Sequence, residues 1–258
     1  PANDSPRTVR GTVVKDIDGV DAGTNHVRAA DKYVYSASVV NQWLEKPSTQ
    51  PKNKKIVFVT FDDGPTTKFT GEQLDNLEKA GARATFFMIP PQMRDVGKNM
   101  LSRSLKMGNA LAIHSYSHDY KYLYHGSAAN KAKHISCDWD WAMAQSRAIL
   151  GSNYFSSAFR YPGGHMSWTN LSQADATLAK RGVGWIDWNA MSGDADAQRP
   201  TTVPGYLQMV KKSIKESNNP NVVVILNHDT YGKQMTAKAM PSILAWLKSQ
   251  GYEFGVIA

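Results

Sequence analysis

The run IVFVTF, Ile56 to Phe61, is apolar at five of its six positions and does not alternate with polar residues. As a strand it has to be covered on both faces, which is the habit of parallel sheets flanked by helices, not of antiparallel sheets with one wet face. The run VVVILNH, Val222 to His228, makes the same demand. Around them, short apolar stretches alternate with longer amphipathic ones. ATFFMI, ALAIH, SAFRYP, VGWIDWNAM and YEFGVI read as further strands, whereas TGEQLDNLEKAG, MLSRSLKMG and the stretch from Ser127 to Leu150 read as helices. In the first helix Thr70 and Gln73 have capping-box spacing, Leu74 and Leu77 share a face, and Gly81 suits the end; Gly151 closes the long helix. About seven strands separated by helices predict an α/β chain, its parallel sheet rolled into a distorted (β/α) barrel with the functional groups at the carboxyl ends of the strands.

The first fifty residues have a different texture. TVRGTVVKDIDGV suggests a small hairpin, YVYSASVVNQWLE a short helix or strand, and KPSTQPKNKK a polar connector. A boundary near residue 52 is therefore expected, with an N-terminal extension over 1–52 and a catalytic domain over 53–258. Hydrophobic residues make up 41% of the chain, and no apolar run approaches the roughly 18 residues of a membrane span. The single cysteine, Cys137, excludes an internal disulfide and any multi-cysteine zinc site, so a metal would have to sit on His, Asp or Glu. A formal charge of +8 favours an anionic partner. No nucleic-acid signature accompanies it, which leaves an acidic wall polymer or membrane surface. The sequence begins at Pro1 and reads as processed or trimmed, so an export signal is not expected within it and localisation has to follow from function.

The polar residues gather where strands end: Asp62-Asp63, then His114 to His118, then FRYPGGH, then Asp194, then His228. Two adjacent carboxylates repel unless something positive holds them. Two histidines four apart, taken as a helical turn, present both rings to one ion. Alone they are more often a capping or core pair; with the paired aspartates at the same barrel mouth they read as metal ligands, one acid completing the site and the other free to take a proton from water.

TFDDGP, HSYSH, RYPGG, SGDA and LNH, in that order, resemble the five motifs of the NodB-homology polysaccharide deacetylases, carbohydrate esterase family 4, over Lys55 to Ala258. Within that family the sequence is most similar to bacterial peptidoglycan N-acetylglucosamine deacetylases. The resemblance implies that Asp62 is the general base, that Asp63, His114 and His118 hold one divalent metal, and that Arg160 pairs with and orients Asp62. It implies that His228 is the general acid and that Leu226 lines the acetyl pocket. The metal is expected to be zinc, with cobalt or nickel also suited to this donor set. The implied activity is hydrolysis of N-acetyl groups in peptidoglycan, with chitin oligomers or acetylated xylan as alternative substrates and a non-catalytic wall-binding module as the remaining one. The implied setting is extracellular, at the wall or membrane surface; a monomer is expected by default.

Two positions depart from the family pattern. Gly163 stands where the third motif has a tyrosine; its backbone N–H can still meet an oxyanion, but the ring is lost. The fourth motif reads Asp194-Ala195 in place of Asp-Trp, whereas Asp187-Trp188 is the better literal match. Asp194 is preferred as the partner of His228, because it follows Gly193 where the loop begins, whereas Trp188 reads as mid-strand. Tyr116, Tyr120, Tyr122 and Tyr124 are expected to pack on the rim more than to stack sugars. Trp139 and Trp141 are expected to pack the helix, Cys137 to act as a small buried hydrophobe, and His165 to be a solvated loop residue.

Overall fold

The structure is a computed structural model that describes residues 20–258. All but Val20 of the expected hairpin stretch lies outside these residues. The strands are β1 (Val34–Tyr35), β2 (Lys55–Asp62), β3 (Ala84–Met88), β4 (Ala110–Ile113), β5 (Ala158–Phe159), β6 (Gly184–Trp185), β7 (Ala190–Met191), β8 (Val222–His228), β9 (Tyr252–Phe254) and β10 (Val256–Ile257). Seven of them form a curled parallel sheet in the order β6-β5-β4-β3-β2-β8-β7, with β9 added beside the start of β2. β6 and β7 are the two edges and do not pair, so the distorted barrel has an open seam.

β2 explains how such a barrel is filled. Val57, Val59 and Phe61 point outward into the core under the helices, while Ile56 and Phe58 point inward. Its partner β8 runs in register, matching Ile56 to Val222, Phe58 to Val224, Thr60 to Leu226 and Asp62 to His228. The interior therefore starts apolar at the bottom and turns polar at the mouth.

Local signals set the helices. Ser127 caps the long helix Ala128–Leu150 by accepting the Asn130 N–H, and Gly151 ends it with a positive φ. Trp139 and Trp141 are buried in the core, and Cys137 packs against it half-buried. The capping box expected at Thr70 and Gln73 is not formed. The helix starts earlier, at Thr67, and both residues are buried; Thr70 Oγ1 donates to Asp229 instead. The single strand expected from VGWIDWNAM is also corrected: it is two short strands, and Ile186 to Asn189 carry the chain across the seam from one sheet edge to the other.

The described part of the N-terminal stretch packs into the same core as the barrel. β1 pairs with β10, Asn25 Nδ2 donates to Ile257 O, and the Leu111 N–H donates to Asn25 O. Ser36 caps the helix Ala37–Glu45, whose Ala37 and Val40 close the bottom of the barrel against Ile56, Phe58 and Val222.

Candidate active site

The alternation of β2 sends Asp62 into the barrel and would send its neighbour out. Asp63 has a φ of 75°, however, and this left-handed turn brings the second carboxylate back to the mouth. Both acids then face one imidazole: His114 Nε2 lies 3.7 Å from Asp62 Oδ2 and 3.3 Å from Asp63 Oδ1. A left-handed non-glycine residue costs on the order of 1–2 kcal/mol, and the surroundings hold it in place. Gln92 Nε2 donates to Asp63 O at 2.7 Å, and the Ile89 N–H donates to Gly64 O at 2.8 Å. Gly64 must be glycine, since a Cβ there would sit 2.5 Å from both carboxylate oxygens of Asp229. Asp229 Oδ2 accepts from Thr70 at 2.6 Å, Oδ1 has no hydrogen-bond partner, and burial pushes its carboxyl up to about 7.

The second loop follows β4. His114 and His118 do not share a helical turn; they lie on an irregular loop in which Ser115 and His118 have φ of 76° and 48°. Asp138, buried on the long helix, replaces the helix as the organiser. Its carboxylate accepts from Ser115 Oγ at 2.6 Å, Tyr116 N–H at 2.7 Å and Ser117 N–H at 2.9 Å, while Ser115 Oγ accepts the His118 N–H. The two rings meet edge to face, with centroids 5.0 Å apart.

This arrangement fits a cation. One donor atom each from Asp63, His114 and His118 lie within 4.8 Å of one another. His114 Nδ1 is 2.8 Å from the Arg160 carbonyl, which can only accept, so Nδ1 carries the proton and Nε2 presents a lone pair towards Asp63. Asp63 Oδ1 lies 3.3 and 3.1 Å from the two Nε2 atoms, yet neither contact has hydrogen-bond geometry, and this buried oxygen is left without a partner. Lone pairs converging without shared protons are what a divalent ion resolves.

Arg160 is wholly buried and ties the mouth to the seam. Its Nη1 donates to Asp62 Oδ1 at 2.9 Å and to Thr60 Oγ1 at 2.7 Å; Nε and Nη2 donate to the carbonyls of Ile186 and Asp187 in the crossing segment. Across the mouth, His228 Nδ1 lies 2.8 Å from Asp194 Oδ1, and Asp194 Oδ2 accepts from the His228 N–H and Thr236 Oγ1. Burial would lower the His228 imidazole, but Asp194 outweighs it and raises it to about 9. Asp187 makes no such contact with His228; its oxygens accept the N–H groups of His165 and Met166 and fix the loop after β5. His165 is not solvated: it lies 2.8 Å from Asp175 and stacks on Trp185 at 3.7 Å.

Leu226 is half-buried on the same face of β8 as His228. Gly163 has a φ of 79°, and the room for a side chain is taken, since a Cβ would lie 3.2 Å from both Trp168 Nε1 and Tyr120 Oη. Of the four rim tyrosines, Tyr122 and Tyr124 are buried and Tyr116 is half-buried, but Tyr120 is exposed and its ring lies 5.5 Å from that of His118. Asp138, Asp229 and Thr236 escaped the sequence reading. Each acts across a long sequence separation, through partners that its own segment does not indicate.

The sequence matches the polysaccharide deacetylase family over residues 49–180. A Streptococcus mutans CE4 esterase superposes with a TM-score of 0.84 at 38% identity, covering 94% of this chain and 100% of that one. A peptidoglycan-N-acetylglucosamine deacetylase of Bacillus cereus is 28% identical, across 79% of this chain and 69% of its own length. A bifunctional xylanase/deacetylase of Pseudobutyrivibrio xylanivorans is 30% identical over 81% of this chain, but the match spans only 31% of that larger protein.

Proposed function

The chain belongs to the NodB-type polysaccharide deacetylases, carbohydrate esterase family 4, enzymes that hydrolyse acetyl groups, and from that membership we propose that it removes the N-acetyl group of N-acetylglucosamine residues in peptidoglycan. The observation that carries this reading is the convergence of Asp63, His114 and His118 on one point, with Asp62 and His228 close by on adjacent strands. Asp63, His114 and His118 would hold one divalent cation, most simply zinc. When bound, such a cation polarises the acyl oxygen and acidifies water.

The chain's own groups account for the remaining steps. Asp62, oriented by Arg160, accepts a proton from the attacking water. Gly163 makes no hydrogen bond from its N–H to protein among the described residues, which leaves that donor for the negative oxygen of the tetrahedral intermediate. His228, held protonated near neutral pH by Asp194, gives its proton to the sugar nitrogen as the C–N bond breaks. Acetate and a free amine result. Leu226 walls the methyl of the acetyl group.

The likeness to the Bacillus cereus enzyme supports the peptidoglycan substrate. The +8 charge suits action outside the cell, where a wall carries anionic polymers. Release of acetate from N-acetylglucosamine oligomers and from intact peptidoglycan, with and without a chelator, tests the proposal. The likeness to a bifunctional xylanase/deacetylase favours one second reading, xylan O-acetyl esterase. Acetate from acetylated xylan, with none from the amide substrates, would select it.

A further inference from the structure

Asp229 follows His228 at the end of β8 and is 1% exposed. One of its carboxyl oxygens, Oδ1, has no hydrogen-bond partner. A buried acid satisfied on one oxygen only costs free energy that an apolar side chain of its size would not, so the core gains nothing from it as filler. Its use lies in what it holds.

Four contacts tie Asp229 to the segment that carries the paired acids. Its N–H donates to Asp62 O at 3.3 Å, its carbonyl accepts from Thr66 Oγ1 at 2.8 Å, and its Oδ2 accepts from Thr70 Oγ1 at 2.6 Å. The fourth is packing: the carboxyl fills the place of a side chain on Gly64, where a Cβ would lie 2.5 Å from each oxygen. Positions 62, 64 and 66 are thus held by one residue, and the left-handed Asp63 lies inside the held stretch. Both threonines are diverted to this end. Thr66 is the N-cap of the helix Thr67–Ala80, yet its hydroxyl caps nothing and reaches Asp229. Thr70, one turn into that helix, accepts the Thr66 N–H at 2.8 Å while donating to Asp229. The start of the helix, the turn of paired acids and the end of β8 are one hydrogen-bonded unit.

Resting on the reading of Asp62, Asp63 and His228 as parts of one deacetylase site, we infer that Asp229 is a positioning residue that locks the turn of paired acids to the strand end bearing His228. It acts through its neighbours: the turn presents Asp63 to the cation and Asp62 to water, and Asp229 keeps both in register with the proton donor beside it. Released from it, the turn is free to return to the extended path of β2, whose alternation sends the Asp63 side chain away from the mouth.

The test compares wild type with Asp229→Ala, Asp229→Asn, Thr70→Val and the core variant Phe58→Ala. Three quantities are read: zinc affinity by calorimetry, kcat for acetate release from N-acetylglucosamine pentamer, and hydrogen exchange of the Ile89 amide, which donates to Gly64 O, in the metal-stripped proteins. Asp229→Ala and Thr70→Val should bind zinc about 10- to 100-fold more weakly and lose kcat, and their Ile89 amide should lose protection. Asp229→Asn keeps the outline and an acceptor for Thr70, and should restore all three towards wild type. Phe58→Ala should keep wild-type zinc affinity, which separates positioning from a general loss of stability. If Asp229→Ala does not fold, Thr70→Val decides. Wild-type zinc affinity and kcat in the folded variants would overturn the inference, and so would an Asp229→Asn variant as impaired as Asp229→Ala, since charge and not placement would then matter. If wild type itself takes up no zinc and releases no acetate, the reading of the site fails; lost Ile89 protection in Asp229→Ala would still uphold the lock, and intact protection would overturn it.

Discussion

The bottom and the mouth of the barrel are built from the same strands by the same alternation, and they do opposite things. Along the inward face of β2 the order is Ile56, Phe58, Thr60, Asp62; along β8 it is Val222, Val224, Leu226, His228, pair matched with pair. At the bottom these positions meet Ala37 and Val40 and are sealed in a fully buried apolar cluster. At the mouth they meet a buried arginine, converging histidines and two left-handed residues, Asp63 and His118, whose side chains are proposed to hold the cation. On the inward face apolar contact stops between Phe58 and Asp62, and backbone regularity ends just above it, at the left-handed Asp63. The lower half holds the sheet in shape, and the upper half uses that rigidity to keep acids and imidazoles where they would not gather unaided.

Substitutions at the two levels should therefore part company. Asp62→Asn, at the mouth, should lower kcat by about 10²- to 10⁴-fold with metal content unchanged, as read by acetate release and metal analysis of the same sample. Phe58→Ala, two positions below Thr60, should cost about 3–5 kcal/mol in denaturant unfolding. At temperatures where the variant remains folded, its pH profile should be that of wild type. Arg160→Met crosses the divide. Removing one partner of a buried ion pair costs about 3–5 kcal/mol, so it should lose stability and activity together, whereas a stable but inactive variant would confine the arginine to the mouth.

Smaller effects sharpen the contrast. Asp138→Ala touches neither substrate nor the proposed cation, but it releases the loop between His114 and His118; metal affinity should drop about 10- to 100-fold in a calorimetric titration. Asp194→Asn should move the pH profile. The His228 imidazole is raised to about 9, so it is charged below that value and its proton is lost as pH rises through it. A bound cation opposes the fields of Asp62 and Asp63, which places the alkaline limb of the loaded enzyme at or below 9. Replacing the carboxylate of Asp194 should shift that limb further down, towards the ordinary histidine value near 6.5. An unmoved limb would mean that His228 is not the proton donor.

The lower half was the more legible in sequence, for a physical reason. Buried strands of seven or eight residues such as β2 and β8 declare themselves by unbroken apolar runs, and the long helix by Ser127 and Gly151 at its ends. Burial period and capping are local properties. The stretch VGWIDWNAM misled because apolar residues recur along its whole length, on both sides of Asp187 and Asn189, while its hydrogen-bond partners change from β5 to β8, a fact held by the sheet and not by the segment. At the mouth, residue types pointed to the site, but the geometry rested on backbone turns at Asp63, Ser115 and His118, where no glycine signals a positive φ. The clamps are remote as well: Asp138 lies 23 residues from Ser115, and Asp229 lies 159 residues from Thr70. Pairings over such distances leave no periodicity to read.

The most direct test is a zinc titration of wild type, Asp62→Asn and His118→Ala by calorimetry, with acetate release from N-acetylglucosamine pentamer measured on the same samples. Wild type should bind one ion per chain and release acetate; Asp62→Asn should bind one ion and release almost none; His118→Ala should lose both tight binding and activity. Full activity in metal-stripped wild type, or tight zinc binding and turnover in His118→Ala, would contradict a site built on Asp63, His114 and His118.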